Sequence, residues 1–119
     1  MDRRTAKEFL HIHQWLANGL LIVEAGRDAY DRDELLQEAG DSLMMKLGEA
    51  ARRLSEAGAT PPSGLRWADA IANRNWVIHQ YDQIDRDITW STLERDFAEW
   101  QAALMPTFDE ATRALGTGT

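Results

Sequence analysis

The sequence predicts an all-α protein, an antiparallel bundle of four to five helices forming one domain over residues 1–115. Three observations carry this expectation. Apolar residues recur at helical spacing through most of the 119 residues. No stretch sustains the apolar and polar alternation of a half-buried strand. The joints between periodic segments are short, as they are between antiparallel neighbours in a bundle. A chain of this length can bury a core unaided but leaves no room for a second fold beside it.

Each element has its own local signals. Thr5 followed by Glu8 is a capping-box pattern, and Phe9, Ile12, Leu16 and Val23 continue at helical spacing, so a first helix is expected over 3–29. Asp31 with Glu34 repeats the signal. Leu36, Leu43, Leu47, Ala50 and Leu54 then form a stripe that stops at Gly58, the residue type expected just past a helix end. Gly48 lies in mid-helix, where it costs stability relative to alanine, so close packing against a neighbouring helix is its expected use. The segment ATPPSG, 59–64, cannot continue a helix and turns the chain. A third helix is expected over 65–78. The apolar period lapses between His79 and Asp87, then resumes at Ile88, Leu93, Phe97 and Trp100 in a fourth helix with Asp87 as its N-cap. Pro106 interrupts this pattern while Thr107 and Glu110 supply another capping box, giving a short last helix or a kinked continuation to about Leu115 and a disordered tail over 116–119.

Composition removes several classes of function. Without cysteine there is no disulfide, thiolate nucleophile or cysteine metal site. No apolar run approaches the roughly 20 residues that span a bilayer, and MDRRTAKEF lacks the apolar segment of a signal peptide, so a cytoplasmic protein with no membrane partner is expected. The net charge of −7 argues against coating a duplex, and DNA is not an expected partner. Any RNA contact must be local, through Arg52, Arg53, Arg66 or Arg74, since the only lysines are Lys7 and Lys46. His11 and His13, two apart on a helix, point about 160° from one another and cannot share a metal. No metal or other cofactor is expected. The five tryptophans, Trp15, Trp67, Trp76, Trp90 and Trp100, are scattered among helical core or interface positions rather than arrayed as a base-stacking platform.

The stretch RNWVIHQYDQID, 74–85, gathers Arg74, Asn75, His79 and Tyr81 where a helix is expected to end. In a straight helix Arg74 and His79 lie about 140° apart, whereas Asn75 and His79 share a face, so convergence requires the helix to end or bend near His79. An arginine and a histidine suffice for cleavage of RNA by its own 2′-hydroxyl. The guanidinium holds the scissile phosphate and stabilises its growing charge, and the imidazole, titrating near neutrality, moves the proton. A helix C-terminus also favours histidine for its dipole, and an arginine five residues before a histidine recurs by chance. From these residues alone a packed helix terminus and a catalytic pair both stand open.

The residues so assembled resemble the HEPN superfamily, and within it the HepT-like toxins, whose hallmark R-x4-H-x-Y reads here as Arg74, His79 and Tyr81. LMMKLGEAARRLSE (43–56), LRWADAIANRNWVIHQYDQID (65–85) and DITWSTLERDF (87–97) extend the resemblance from about Asp31 to Leu104; Trp76 places a bulky ring where a smaller aliphatic is more usual. The resemblance implies a helical homodimer, or a larger assembly, in which two motif-bearing segments face each other across a cleft. It implies a metal-independent endoribonuclease that restrains growth, with RNA as substrate, Arg74 and His79 as the catalytic pair and Asn75 as the supporting polar residue. It also implies a minimal nucleotidyltransferase antitoxin that silences the toxin by transferring AMP to Tyr81, adding charge and bulk beside Arg74. The alternative is a non-catalytic HEPN module that docks with such a transferase and is modified by it while leaving RNA intact.

Overall fold

Asp2 opens the first helix by accepting a hydrogen bond from the Thr5 amide at 2.7 Å, and α1 runs over Arg3–Ala25. The expected Thr5 and Glu8 capping box is not used, because the Glu8 carboxylate is taken by Arg53 of another helix. The helix also stops short of residue 29. Gly26, at φ 95°, turns the backbone out of the right-handed region, and a short α2, Arg27–Arg32, follows. This computed structural model describes residues 1–59, 66–79 and 84–116, with the side chains of Trp76, Ile78 and His79 excepted. The expected turn over 59–64 and the tail therefore fall almost wholly outside the described residues.

Asp33, not Asp31, caps α3 (Glu34–Glu56), accepting from the Leu35 amide at 2.9 Å. Gly58, at φ 79°, lies just past the C-cap as expected. The Ala59 amide bonds the Leu54 carbonyl and the Gly58 amide bonds that of Ser55, which satisfies two of the carbonyls in the last turn of the helix. After α4 (Trp67–His79), Asp85 rather than Asp87 caps α5 (Arg86–Ser91). A π-helical turn, Thr92–Asp96, joins α5 to α6 (Phe97–Gly116). Pro106 lies inside α6, so the expected interruption is a single helix; only one amide donor is lost there, while Leu104, Phe108 and Ala111 hold both sides of the proline in the core.

The helices form an all-α bundle in which α1 packs on α6 and α3, and α3 packs on α4. Among the described residues there is no strand. Ile12, Leu16, Tyr30, Leu93, Phe97, Leu104 and Phe108 are the fully buried apolar centre. Gly19 lets α6 approach α1, because the Phe97 ring occupies the space a β-carbon would fill. One polar network crosses this core. The Tyr30 hydroxyl meets Thr89 Oγ1 at 2.6 Å and accepts from Arg86 at 3.2 Å, while Arg86 grips Asp41 through two bonds of 2.9 and 3.0 Å. That arrangement ties α2, α3 and α5 together. No helix among the described residues is long and apolar enough to cross a membrane.

Candidate active site

The seam between α3 and α4 is set by Gly48. A β-carbon there would overlap that of Arg74 and stand 2.8 Å from the Ala70 carbonyl oxygen, so only glycine permits this approach without movement. The close packing expected of Gly48 is thus its role. One residue further, Glu49 lies beside the seam and its Oε1 forms an ion pair with Arg74 Nε. That nitrogen is buried and faces the carboxylate as a charge contact rather than through a well-directed hydrogen bond. Arg74 also donates from an outer nitrogen to Asn75 Oδ1 at 2.9 Å. Glu49 meanwhile accepts from Arg52 at 3.0 Å, so one carboxylate bridges two guanidiniums.

This arrangement fixes the inner edge of the Arg74 guanidinium and leaves donors on its outer edge. Planar, fork-shaped guanidinium pairs well with phosphate through such an edge. The side chain is 23% exposed, enough to reach a ligand and buried enough to hold one orientation. Arg74 opens onto a cleft of about 640 Å³ that also takes in Trp15 of α1 and Met45, Lys46 and Glu49 of α3. A second cleft, about 510 Å³, shares Glu38, Asp41 and Met45 with the first and reaches Val77 and Ile84. Together they make a trough along the outer face of α3, past the segment that carries the motif.

The other expected cations divide. Arg53 joins the same cleft but is held by Glu8 at 2.6 Å, and that hydrogen bond raises its pKa from the ordinary arginine value. Arg66 lies apart, in a cleft between α4 and α6 with Asp69, Asn73, Asp96 and Glu99. There burial, then repulsion from Glu99 and Asp69, pushes the Asp96 carboxyl above the usual carboxylate range, against an opposing hydrogen bond from Asn73. His11 and His13 serve packing: His13 stacks on Phe108 with ring centroids 4.4 Å apart, and His11 lies tilted to Trp15 at 5.8 Å. Of the tryptophans whose side chains are described, Trp67, Trp90 and Trp100 are core residues, each 8% exposed, and Trp15 is the half-buried exception; the side chain of Trp76 lies outside the described residues.

The backbone is helical from Arg74 through Asn75 to His79, the last described residue of α4, and the end or bend expected near His79 otherwise falls at residues 80–83, outside the described residues. The His79 side chain, and all of Tyr81, lie outside the described residues. By sequence Glu49 could face either the Gly48 junction or solvent; it faces the junction, where it orients Arg74. Its signal was the neighbouring glycine, because a residue beside a helix contact point reaches across the seam.

A profile of the HepT-like family, described as Ribonuclease HepT-like, matches residues 16–107. That span includes all of α3 and α4, the Glu49 and Arg74 pair and the R-x4-H-x-Y segment. No match emerged among curated proteins or among solved structures. The chain belongs to the HepT-like ribonuclease family.

Proposed function

We propose that this chain is a metal-independent endoribonuclease toxin whose catalytic pair is Arg74 and His79. The observation that carries the reading is Arg74 itself, a guanidinium anchored at Nε by Glu49 and at one terminal nitrogen by Asn75 and lining an open cleft, in a member of a ribonuclease family. In the reaction the RNA 2′-hydroxyl attacks the adjacent phosphorus, forming a cyclic phosphodiester and breaking the bond to the 5′-oxygen of the next nucleotide. His79 takes the hydroxyl proton or supplies one to the leaving oxygen. The charge that grows on the phosphoryl oxygens falls on Arg74. The need for a 2′-hydroxyl restricts the activity to RNA without base readout.

The functional unit in this reading is a homodimer whose two motif segments face one another, concentrating positive charge in one cleft of an acidic protein. Its antitoxin partner is a minimal nucleotidyltransferase, which transfers AMP to Tyr81. The added phosphate competes electrostatically for Arg74 and blocks RNA.

The test is induced expression of the chain and of its His79→Ala variant, with growth and total RNA followed in both cultures. Growth arrest and RNA decay with the parent alone are the expected result. Indistinguishable cultures would assign the motif to a helix terminus and a dimer seam, and the chain to docking rather than cleavage.

A further inference from the structure

Trp15 stands apart from the other described tryptophans in its exposure and in its place on the Arg74 cleft. Trp67, Trp90 and Trp100 are core residues at 8% exposure, whereas Trp15 is half-buried on the wall of the cleft that holds Arg74. The indole N–H groups of Trp67 and Trp90 are spent on the Ala59 carbonyl at 3.0 Å and on Glu94 at 3.1 Å. Those of Trp15 and Trp100 have no hydrogen-bond partner among the described residues, and of these two only Trp15 faces the Arg74 cleft. Met45, 37% exposed, adds a second apolar surface to the same cleft.

The charges around this apolar surface are unequal in availability. Arg53 is held by Glu8, Asp41 by Arg86 and Glu49 by two arginines. Among the described residues Lys46 and Glu38, both exposed on the cleft, have no ion pair. An aromatic face and an available ammonium beside a fork-shaped guanidinium match the alternation of base and phosphate along a single strand. The volume, about 640 Å³, falls in the range of small-molecule sites. Glu38 can accept from exocyclic amino groups of a base and disfavours a further phosphate at its own position.

We propose that the cleft between α1 and α3 binds the nucleoside flanking the scissile phosphate of single-stranded RNA, with Trp15 stacking its base and Lys46 meeting the next phosphate. The inference rests on the nuclease reading and adds to it a subsite that requires an unpaired base. Stacking of this kind tolerates every base, so the subsite selects strandedness more than sequence.

Binding is measured by fluorescence anisotropy on the full chain with a 2′-O-methyl oligoribonucleotide, which lacks the attacking hydroxyl, and with an abasic phosphodiester of the same length. The parent should bind the base-bearing strand about tenfold or more tighter than the abasic one, the scale of one stacked base. Trp15→Leu should lose that advantage and bind the abasic strand as the parent does, while Trp15→Phe keeps most of it. Circular dichroism checks that each variant is folded, and the comparison of the two strands on the parent needs no variant. If the parent cleaves RNA yet binds both strands alike, or if folded Trp15→Leu matches the parent on both, the subsite is refuted and the nuclease reading stands. If the parent neither cleaves RNA nor binds either strand, the nuclease reading fails and the subsite with it.

Discussion

At the scale of single residues, Gly48 and Glu49 divide between them the placement of Arg74. Gly48 sets how near α4 comes, and Glu49 sets how the guanidinium is turned. Gly48→Ala should therefore cost about 1–3 kcal/mol of stability through overpacking, read from urea unfolding, and should lower cleavage further because the Arg74 stem must move. The glycine was legible in the sequence, since a glycine in mid-helix calls for a reason. Its acidic neighbour was not, because periodicity places a residue near a seam without saying which partner across it holds the opposite charge. Asp96 gives a pH dependence of known sign. Burial, then Glu99 and Asp69, raise its folded pKa, so the folded state keeps this proton to higher pH than the unfolded chain. The stabilisation is present below the unfolded carboxylate pKa and is lost as pH rises through the folded one. Asp96→Asn should thus raise the thermal midpoint at pH 7, with the difference fading as pH falls to about 4, measured by circular dichroism melts.

At the scale of elements, the helices themselves were legible, including the start of α1 at Arg3, while their capping residues were misassigned. Capping patterns nominate Glu8, Asp31 and Asp87, yet ion pairs claim all three: Glu8 goes to Arg53 of α3, Asp87 goes to Arg27 of α2, and Asp31 pairs with the same Arg27 one turn back on its own helix. The caps fall instead to Asp2, Asp33 and Asp85, acids left free for backbone amides. For Glu8 and Asp87 the deciding cation lies on another helix, which local sequence cannot show. Gly26 was passed over because apolar spacing continues across it, although its positive φ ends α1. Arg86 is the residue that makes the α5 start a fixed joint, through Asp41 and the Tyr30 hydroxyl. Arg86→Ala should cost about 2 kcal/mol in urea unfolding, since Asp41 would keep a part-buried charge without its partner. Arg86→Ala in an Asp41→Asn background should cost clearly less.

At the scale of the whole molecule, the bundle class and the motif-bearing segment could be read from the sequence, while the trough could not, because it is built from α1, α3 and α4 together. The proposed dimer gives a direct expectation: sedimentation should return twice the chain mass of 13.5 kDa, and a monomer that still cleaves RNA would dissociate the nuclease reading from the two-motif cleft. The ion pair of Arg74 with Glu49 has a thermodynamic consequence at this scale. A free cation that meets RNA releases the small ions condensed on the strand, and salt opposes it steeply, with a slope of about −0.7 per phosphate neutralised on a single strand. Arg74 arrives with its counter-ion already built in, so its contact with phosphate neutralises little net charge and sets few ions free. RNA affinity should accordingly fall only shallowly as potassium chloride is raised, and Glu49→Gln should steepen that dependence. An acidic protein equipped in this way exchanges ions within itself, and its grip on RNA is buffered against the salt of its surroundings.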